Sequence, residues 1–528
     1  MVSRIYIAIF FLLLMGIQIG SASRIPLSGD EVGVGMLQAA GRAFEHQLAE
    51  EDFFSLQQLE ERINATADYG LSDVFQSLKK SGMHPPLYYI LIHGWMHVFH
   101  TEVLPLRLLA YGFFLLSLLV LFAFRSQFSN PRWVIGGAVL LGLSQYGFVW
   151  GVHVRPYTLA MFFAVVSLAL WHRIATDFRN FYRLRILLGY LAVVICGMYT
   201  IYHFVFVIAA QWLYLVAQNA RRPRNLLHLL LFALAALLAY APWIPYAMQH
   251  FNRVSGRSYY FHGESSPQTL FERFVSYNFY DSIPFEVVGH LAPAIAFMIA
   301  VAILAGLVLM LKNRETRHMG CLCVLYAALY LVVESIFDMR TLRFAKFLFF
   351  FMPLTFLAIS MATFGSPWIW FRRVSVGLIS ILLVMNSAFA LQNPSRFDGP
   401  SYLTAFAVKA ARTNPSGGRA LLVISSAQRR YLFPTVQVLH GDWDVAIWGK
   451  HSNARKKIKK LRSRFGAGYD SVLILNLTIP YEPESHITSQ ELKAIRSALG
   501  KQGFQLHNQG ALPGARAIYF TYHASPPS

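Results

Sequence analysis

Apolar windows of roughly 16–22 residues, each enough to cross a hydrocarbon core near 30 Å, recur along the first three-quarters of this chain. They fall near 5–22, 104–124, 132–150, 157–172, 185–199, 202–218, 225–245, 291–311, 318–336, 344–363 and 372–391, which predicts about eleven spans. Of the 528 residues 55% are hydrophobic and only 14% charged, whereas soluble domains carry roughly 25% charged residues. The fold class imposed by these windows is a polytopic α-helical membrane protein. A further apolar stretch, 85–99, is short and contains His93 and His97, so it reads as a helix lying at the interface. The two histidines are four residues apart, a spacing seen in metal sites, but a wet helix face accounts for it.

The basic residues orient the bundle. "FRSQFSNPR" (124–132), "HRIATDFRNFYRLR" (172–185), "ARRPRN" (220–225), "LKNRETRH" (311–318) and "WFRR" (370–373) all fall on one side of an eleven-span topology. By the positive-inside rule that side is cytoplasmic, which leaves the N-terminus cytoplasmic and the C-terminus external. Arg155, Arg340 and Arg343 are exceptions on short external turns, and the rule does not explain them. The first window also fits a cleaved signal peptide, since "SAS" (21–23) resembles a small-residue cleavage site. Cys196, Cys321 and Cys323 all lie within predicted spans, so no disulfide framework is expected outside the membrane.

Two regions follow from this topology: a membrane domain, 1–391, with long external loops at 23–103 and 246–290, and an external domain, 392–528. In the first loop, residues 50–82 place Phe54, Leu56, Leu59, Ile63, Leu71, Phe75 and Leu78 near helical spacing, which predicts amphipathic helices at the membrane surface. In the second region "ALLVIS" (420–425), "WDVAIW" (443–448) and "SVLILNL" (471–477) read as buried strands. They alternate with helix-like stretches at 427–439, 452–465 and 489–502, the pattern of a small α/β domain with a largely parallel sheet. This region holds 18 Lys and Arg against 7 Asp and Glu, so +11 of the formal +20 charge resides there. The run "ARKKIKKLRSR" (454–464) reads as a solvated basic helix. Its external placement argues against nucleic acid and for anionic lipid or glycan phosphate.

With the topology set, the unusual polar groups all fall on the external side. Asp30 and Glu31 follow the first span, "HPPLYY" (84–89) opens the interfacial helix, and "HVRPYTLA" (153–160) and "YTIYHF" (199–204) are tight turns. "FDMRTLRFAK" (337–346) opens the tenth span with three cations, Arg340, Arg343 and Lys346. Ionisable groups at membrane depth are costly and mark function by default, so these five segments point to one site at the external boundary.

The ordered set "GDE", "HPPLYYILIHGWMHVFH…LRLLA" (84–110), "RPYTLA" (155–160), His203–Phe204 and "RTLRFAKFLFFFMPL" (340–354) resembles bacterial GT-C glycosyltransferases, the class of aminoarabinose transferases and protein O-mannosyltransferases. The resemblance covers roughly residues 1–391. It implies a GT-C membrane fold in the cytoplasmic (inner) membrane of a cell envelope. It also implies inverting transfer of a sugar from a polyprenyl-phosphate carrier to a lipid, glycan or protein acceptor on the external face. The general base of such families maps onto Asp30, with Glu31 as the second carboxylate. A carboxylate against the acceptor hydroxyl typically contributes 10²–10⁴-fold. Substrate-binding positions map onto His84, where some relatives have Lys, and onto Arg155, His203, Arg340, Arg343 and Lys346. Cations there stabilise the growing charge of the leaving phosphate. His203 sits between aromatic residues and also fits as a packed interfacial histidine.

No certain cofactor is assigned, and a divalent metal remains open. The competing classes are an O-antigen-type polymerase or ligase and a lipid or glycan transporter. The second is disfavoured because the sequence has no inverted repeat and no chain of polar residues through mid-membrane.

Overall fold

The described residues of the apolar windows are largely helical, since a backbone in hydrocarbon has to satisfy its own hydrogen bonds. The computed structural model describes residues 2–22, 31–41, 53–55, 57–58, 70–81, 84–100, 102–255, 289–337, 348–365, 369–392, 419–425, 443–448, 469–477, 487–511 and 517–524, with isolated positions at 275, 279, 283 and 287. In chain order the helices are α1 (Val2–Ala22), α2 (Leu71–Ser81), α3 (Leu87–Phe99), α4 (Val103–Phe124), α5 (Arg132–Leu143), α6 (Gln145–Val149), α7 (Tyr157–Thr176) and α8 (Leu184–Met198). There follow α9 (Phe204–Gln218), α10 (Pro223–Tyr240), α11 (Ile244–Ser255), α12 (Ala292–Lys312), α13 (Arg317–Phe337), α14 (Phe351–Phe364), α15 (Ile369–Gln392) and α16 (Ser489–Gly500). Among the described residues four helical stretches, Val103–Gln127, Tyr157–Thr176, Pro223–Asn252 and Ala292–Lys312, are long and apolar enough to cross a membrane. The chain forms two compact units, one of residues 1–23, 78–95 and 104–393, the other of 24–77, 96–103 and 394–528.

In the first unit α14 is the central helix, with every residue from Met352 to Thr363 buried. Close backbone approach makes this possible. A Cβ on Gly306 of α12 would stand 1.8 Å from the Ala358 carbonyl oxygen, and one on Gly137 of α5 would stand 3.0 Å from the Leu357 Cα. Small residues at helix crossings are how membrane bundles gain packing, since lipid supplies no hydrophobic drive between helices. The outer faces are the opposite. Leu227, Leu230, Leu231, Leu234, Leu237 and Leu238 of α10 are all exposed, a leucine surface suited to hydrocarbon and far larger than a soluble protein tolerates.

Two polar devices lie inside this unit. Tyr190 of α8 donates to Gln211 Oε1 of α9 at 2.7 Å, and Gln211 Nε2 donates to Ser167 Oγ of α7 at 3.0 Å. Trp171 Nε1 donates to the Gln211 carbonyl at 2.9 Å, so one glutamine ties three helices. The second device corrects the single span expected over 132–150. The helix breaks at Ser144, whose ψ of 154° is extended. Ser144 Oγ caps the short α6 by accepting from Gly147 N, and Ser387 Oγ of α15 donates to the freed Leu143 carbonyl at 2.9 Å. Asn386 Nδ2 donates to Gln145 Oε1 at 2.5 Å. A break inside a bundle survives only when its loosened backbone groups find such partners.

The second unit is built on a six-stranded sheet in the order β1-β3-β2-β4-β6-β5. Its strands are β1 (Phe53–Ser55), β2 (Ala420–Ser425), β3 (Trp443–Trp448), β4 (Ser471–Leu477), β5 (Phe504–Ala511) and β6 (Ala517–Ala524). The three strands read from sequence begin and end as read, and they pair parallel as β3-β2-β4. The flanks are antiparallel, because β5 and β6 form a hairpin and β1 runs against β3. The largely parallel expectation therefore holds only for the centre. Helix α16 follows the sequence reading and opens with a capping box between Thr488 and Glu491. It buries Ile495, Ala498 and Leu499 against Val472, Ile474 and Phe520. The expected helices at 427–439 and 452–465 lie outside the described residues. Within 50–82 the described residues are helical at 57–58 and over Leu71–Ser81, while Phe53–Ser55 is a strand that pairs along β3.

Candidate active site at the head of helix α7

Between α6 and α7 the chain runs without regular structure through Gly151–Arg155, yet every residue from 145 to 160 is buried. Gly151 is required there, because a Cβ on it would stand 1.9 Å from the Gly147 carbonyl oxygen. The turn is closed by Arg155 N donating to the His153 carbonyl at 2.7 Å, and Pro156 then leads into α7. Buried irregular backbone in a membrane bundle lines a site or is packed in protein, and this stretch carries Trp150, His153, Arg155 and Tyr157.

Arg155 is 4% exposed. Its Nη2 lies 3.0 Å from His84 Nε2 and 3.4 Å from the Tyr157 hydroxyl, and its guanidinium carbon lies 5.7 Å from the centre of the Tyr157 ring. A guanidinium has donors only, so Nε2 of His84 accepts and the imidazole carries its proton on Nδ1. His84 stacks on Tyr89 at 5.9 Å, and Tyr89 meets Tyr88 edge-on at 5.8 Å. Trp150 presents its edge to His153 at 4.8 Å and to Tyr157 at 5.7 Å. The guanidinium is thus held by His84 and Tyr157, each of which packs on a further aromatic ring. It sits at the N-terminus of a 20-residue helix, where the helix dipole contributes about half a positive charge. In the first turn of that helix Thr158 is fully buried, and its hydroxyl has no hydrogen-bond partner among the described residues. Cation, helix terminus and hydroxyl together form an environment for an oxyanion.

The structure brings a third predicted segment to this cluster. Leu87 N, three residues after His84, donates to the Tyr199 carbonyl at 2.9 Å, which joins "HPPLYY" to the turn before α9. His203, at the end of that turn, packs beside Phe206 at 6.2 Å and Tyr330 at 6.5 Å. Phe350, at the entry to α14, closes on the same group, 5.9 Å from Tyr330. Tyr202 stacks on His250 of α11 at 5.0 Å.

Glu31 belongs to the second unit, buried at 1% exposure at the start of the short helix Glu31–Met36. Asp30, Arg340, Arg343 and Lys346 lie outside the described residues. The sequence reading did not single out Trp150, His153, Tyr157 or Thr158. "HVRPYT" sits at the end of a long apolar run, and its short polar interval is the one signal that marks them. Of the metal-spaced pair, His93 is buried and His97 exposed on α3. Among the described residues no three His, Cys, Asp or Glu side chains are placed to hold a metal together.

No protein-family model matches the chain, and no curated protein matches its sequence. Solved structures do match. ArnT from Cupriavidus metallidurans in the apo state superposes with a TM-score of 0.54 at 12% identity, over 99% of this chain and 98% of that one. ArnT from the same organism bound to undecaprenyl phosphate gives 0.52 at 12% identity, over 98% of both chains. At that identity the likeness is one of architecture, and it covers both units: the chain has the fold of ArnT.

Proposed function

We propose that this protein is an inverting glycosyltransferase that moves a sugar from a polyprenyl-phosphate carrier to a lipid, glycan or protein acceptor. The observation that carries the proposal is the buried Arg155, held by His84 and Tyr157 at the head of α7. A guanidinium at the N-terminus of a helix is a place where an anionic ligand binds favourably. ArnT, which shares the fold, has been solved with undecaprenyl phosphate bound, and this supports a lipid-linked phosphate as the anion.

In this mechanism the acceptor hydroxyl attacks the anomeric carbon as Asp30 takes its proton, and the bond from that carbon to the lipid phosphate oxygen breaks. Negative charge grows on the leaving phosphate. Arg155 meets it, with Arg340, Arg343 and Lys346 assigned to the same charge by their sequence position. Glu31 is the secondary carboxylate, and His84 and His203 complete the proposed substrate-binding set. The proposed topology has about eleven crossings of the inner membrane, with residues 392–528 on the external face.

The experiment is transfer from extracted polyprenyl-linked donor to native acceptor, with wild type and variant matched for protein level. Asp30→Asn keeps the shape and removes the basicity. It is expected to slow transfer by at least about a hundredfold, the low end of general-base contributions, and to leave donor binding intact. Transfer at the wild-type rate would remove Asp30 from the mechanism.

A further inference from the structure

The hairpin at the edge of the sheet carries a second constellation that catalysis does not use. Along β5 and β6, Gln505 pairs with His523 and Leu506 with Tyr522, and the next pair is Asn508 with Thr521. His507 is therefore the extra residue of a β-bulge. Bulges re-aim side chains and recur beside functional sites. Here the bulge sets the His507 ring edge-to-face with that of His523, their centres 4.5 Å apart at 86°. His507 is exposed and His523 half-buried, and among the described residues Nε2 of His523 has no hydrogen-bond partner although it is out of contact with solvent.

We propose that His507 and His523 bind one late first-row divalent cation, Cu²⁺, Ni²⁺ or Zn²⁺, through two imidazole nitrogens, with water in the remaining positions. Imidazole suits these ions and not Mg²⁺ or Ca²⁺. With metal–nitrogen bonds near 2.0–2.1 Å, the two donor atoms of a tetrahedral centre stand about 3.3 Å apart. Rings already 4.5 Å apart reach that spacing by turning about their side-chain bonds. The strand ladder fixes both backbones on either side of the bulge, so the pair is largely set before metal arrives. Two protein ligands leave the coordination sphere open to solvent, which makes the site one of exchangeable metal. Bound there, the ion fastens the edge strand to β6 at the point where the ladder is interrupted.

The test is titration of full-length detergent-solubilised protein, purified without a polyhistidine tag, with Cu²⁺. It is read by calorimetry and by electron paramagnetic resonance. The chain has 18 histidines, so the site is read by difference among wild type, His507→Gln and His523→Gln. The expected result is one tight event with a two-nitrogen hyperfine pattern in the wild type. Each single variant loses that pattern and binds at least about tenfold more weakly, while weaker events stay the same. His507 is exposed on an edge strand, so His507→Gln leaves the fold unchanged and is decisive even if His523→Gln perturbs the hairpin. Identical titration and identical hyperfine structure in wild type and His507→Gln would overturn the proposal.

Discussion

Arg155 is the residue on which the donor reading turns, and its partners set what each replacement does. Arg155→Ala removes a charge-assisted contact of about 1.5–3 kcal/mol, equivalent to roughly a ten- to hundredfold loss in donor affinity. Lys keeps the charge but lacks the planar fork that meets His84 and a phosphate at once, so Arg155→Lys recovers only part of that loss. Donor affinity measured on both variants checks this, and equal affinity in Arg155→Ala and wild type would take Arg155 out of the site. At this scale the sequence was informative about charge and silent about company. A cation on the wrong side of the positive-inside rule marked Arg155 without any structure. His153, Tyr157 and Thr158 beside it have no such anomaly, because their burial arises only in the folded bundle. His203 shows the converse: its aromatic neighbours in sequence suggest packing, and its ring does pack on Phe206 and Tyr330.

At the scale of elements, the bundle depends on where two backbones nearly touch. Gly306→Leu drives a side chain into the Ala358 carbonyl, and neither backbone can yield without moving α12 off α14. Overpacking of this kind typically costs 1–3 kcal/mol or more. The expected outcome is a lower thermal unfolding midpoint in detergent, while Gly112→Leu, at a glycine with nothing within 4 Å, leaves the midpoint unchanged. Helices and strands were legible where the apolar pattern is compact, as with the strand "SVLILNL" and the helix-like stretch 489–502. The break at Ser144 was not legible. One serine barely lowers the hydropathy of its window, and the partner of Gln145 beside it, Asn386, lies 241 residues away. The strand Phe53–Ser55 was missed for a similar reason, since three residues are too few to show an alternating period inside a stretch spaced for helix.

For the whole molecule, charge asymmetry predicts topology. Reporter fusions after residues 128, 180, 222, 315 and 368 should report cytoplasm, and those after 60, 265 and 450 the outside, following the one-sided clusters of Lys and Arg. A cytoplasmic report at 450 would overturn the eleven-span count and the external reaction together. The sheet adds a constraint in time. Phe54 pairs with Val445, about 390 residues later, and at 5–20 residues per second that interval takes roughly 20–80 s. During synthesis the early segment has to leave the ribosome, and in the proposed topology cross to the far side, long before its partner strand exists. Until then three residues of unpaired strand are open to proteases and to pairing with other chains. A gene cut after residue 392 makes that waiting state permanent, and one begun at residue 394 leaves β3 as a bare edge. Neither half is a unit of inheritance that evolution could have shuffled freely: the first loop and the last 130 or so residues have to be acquired, and lost, together.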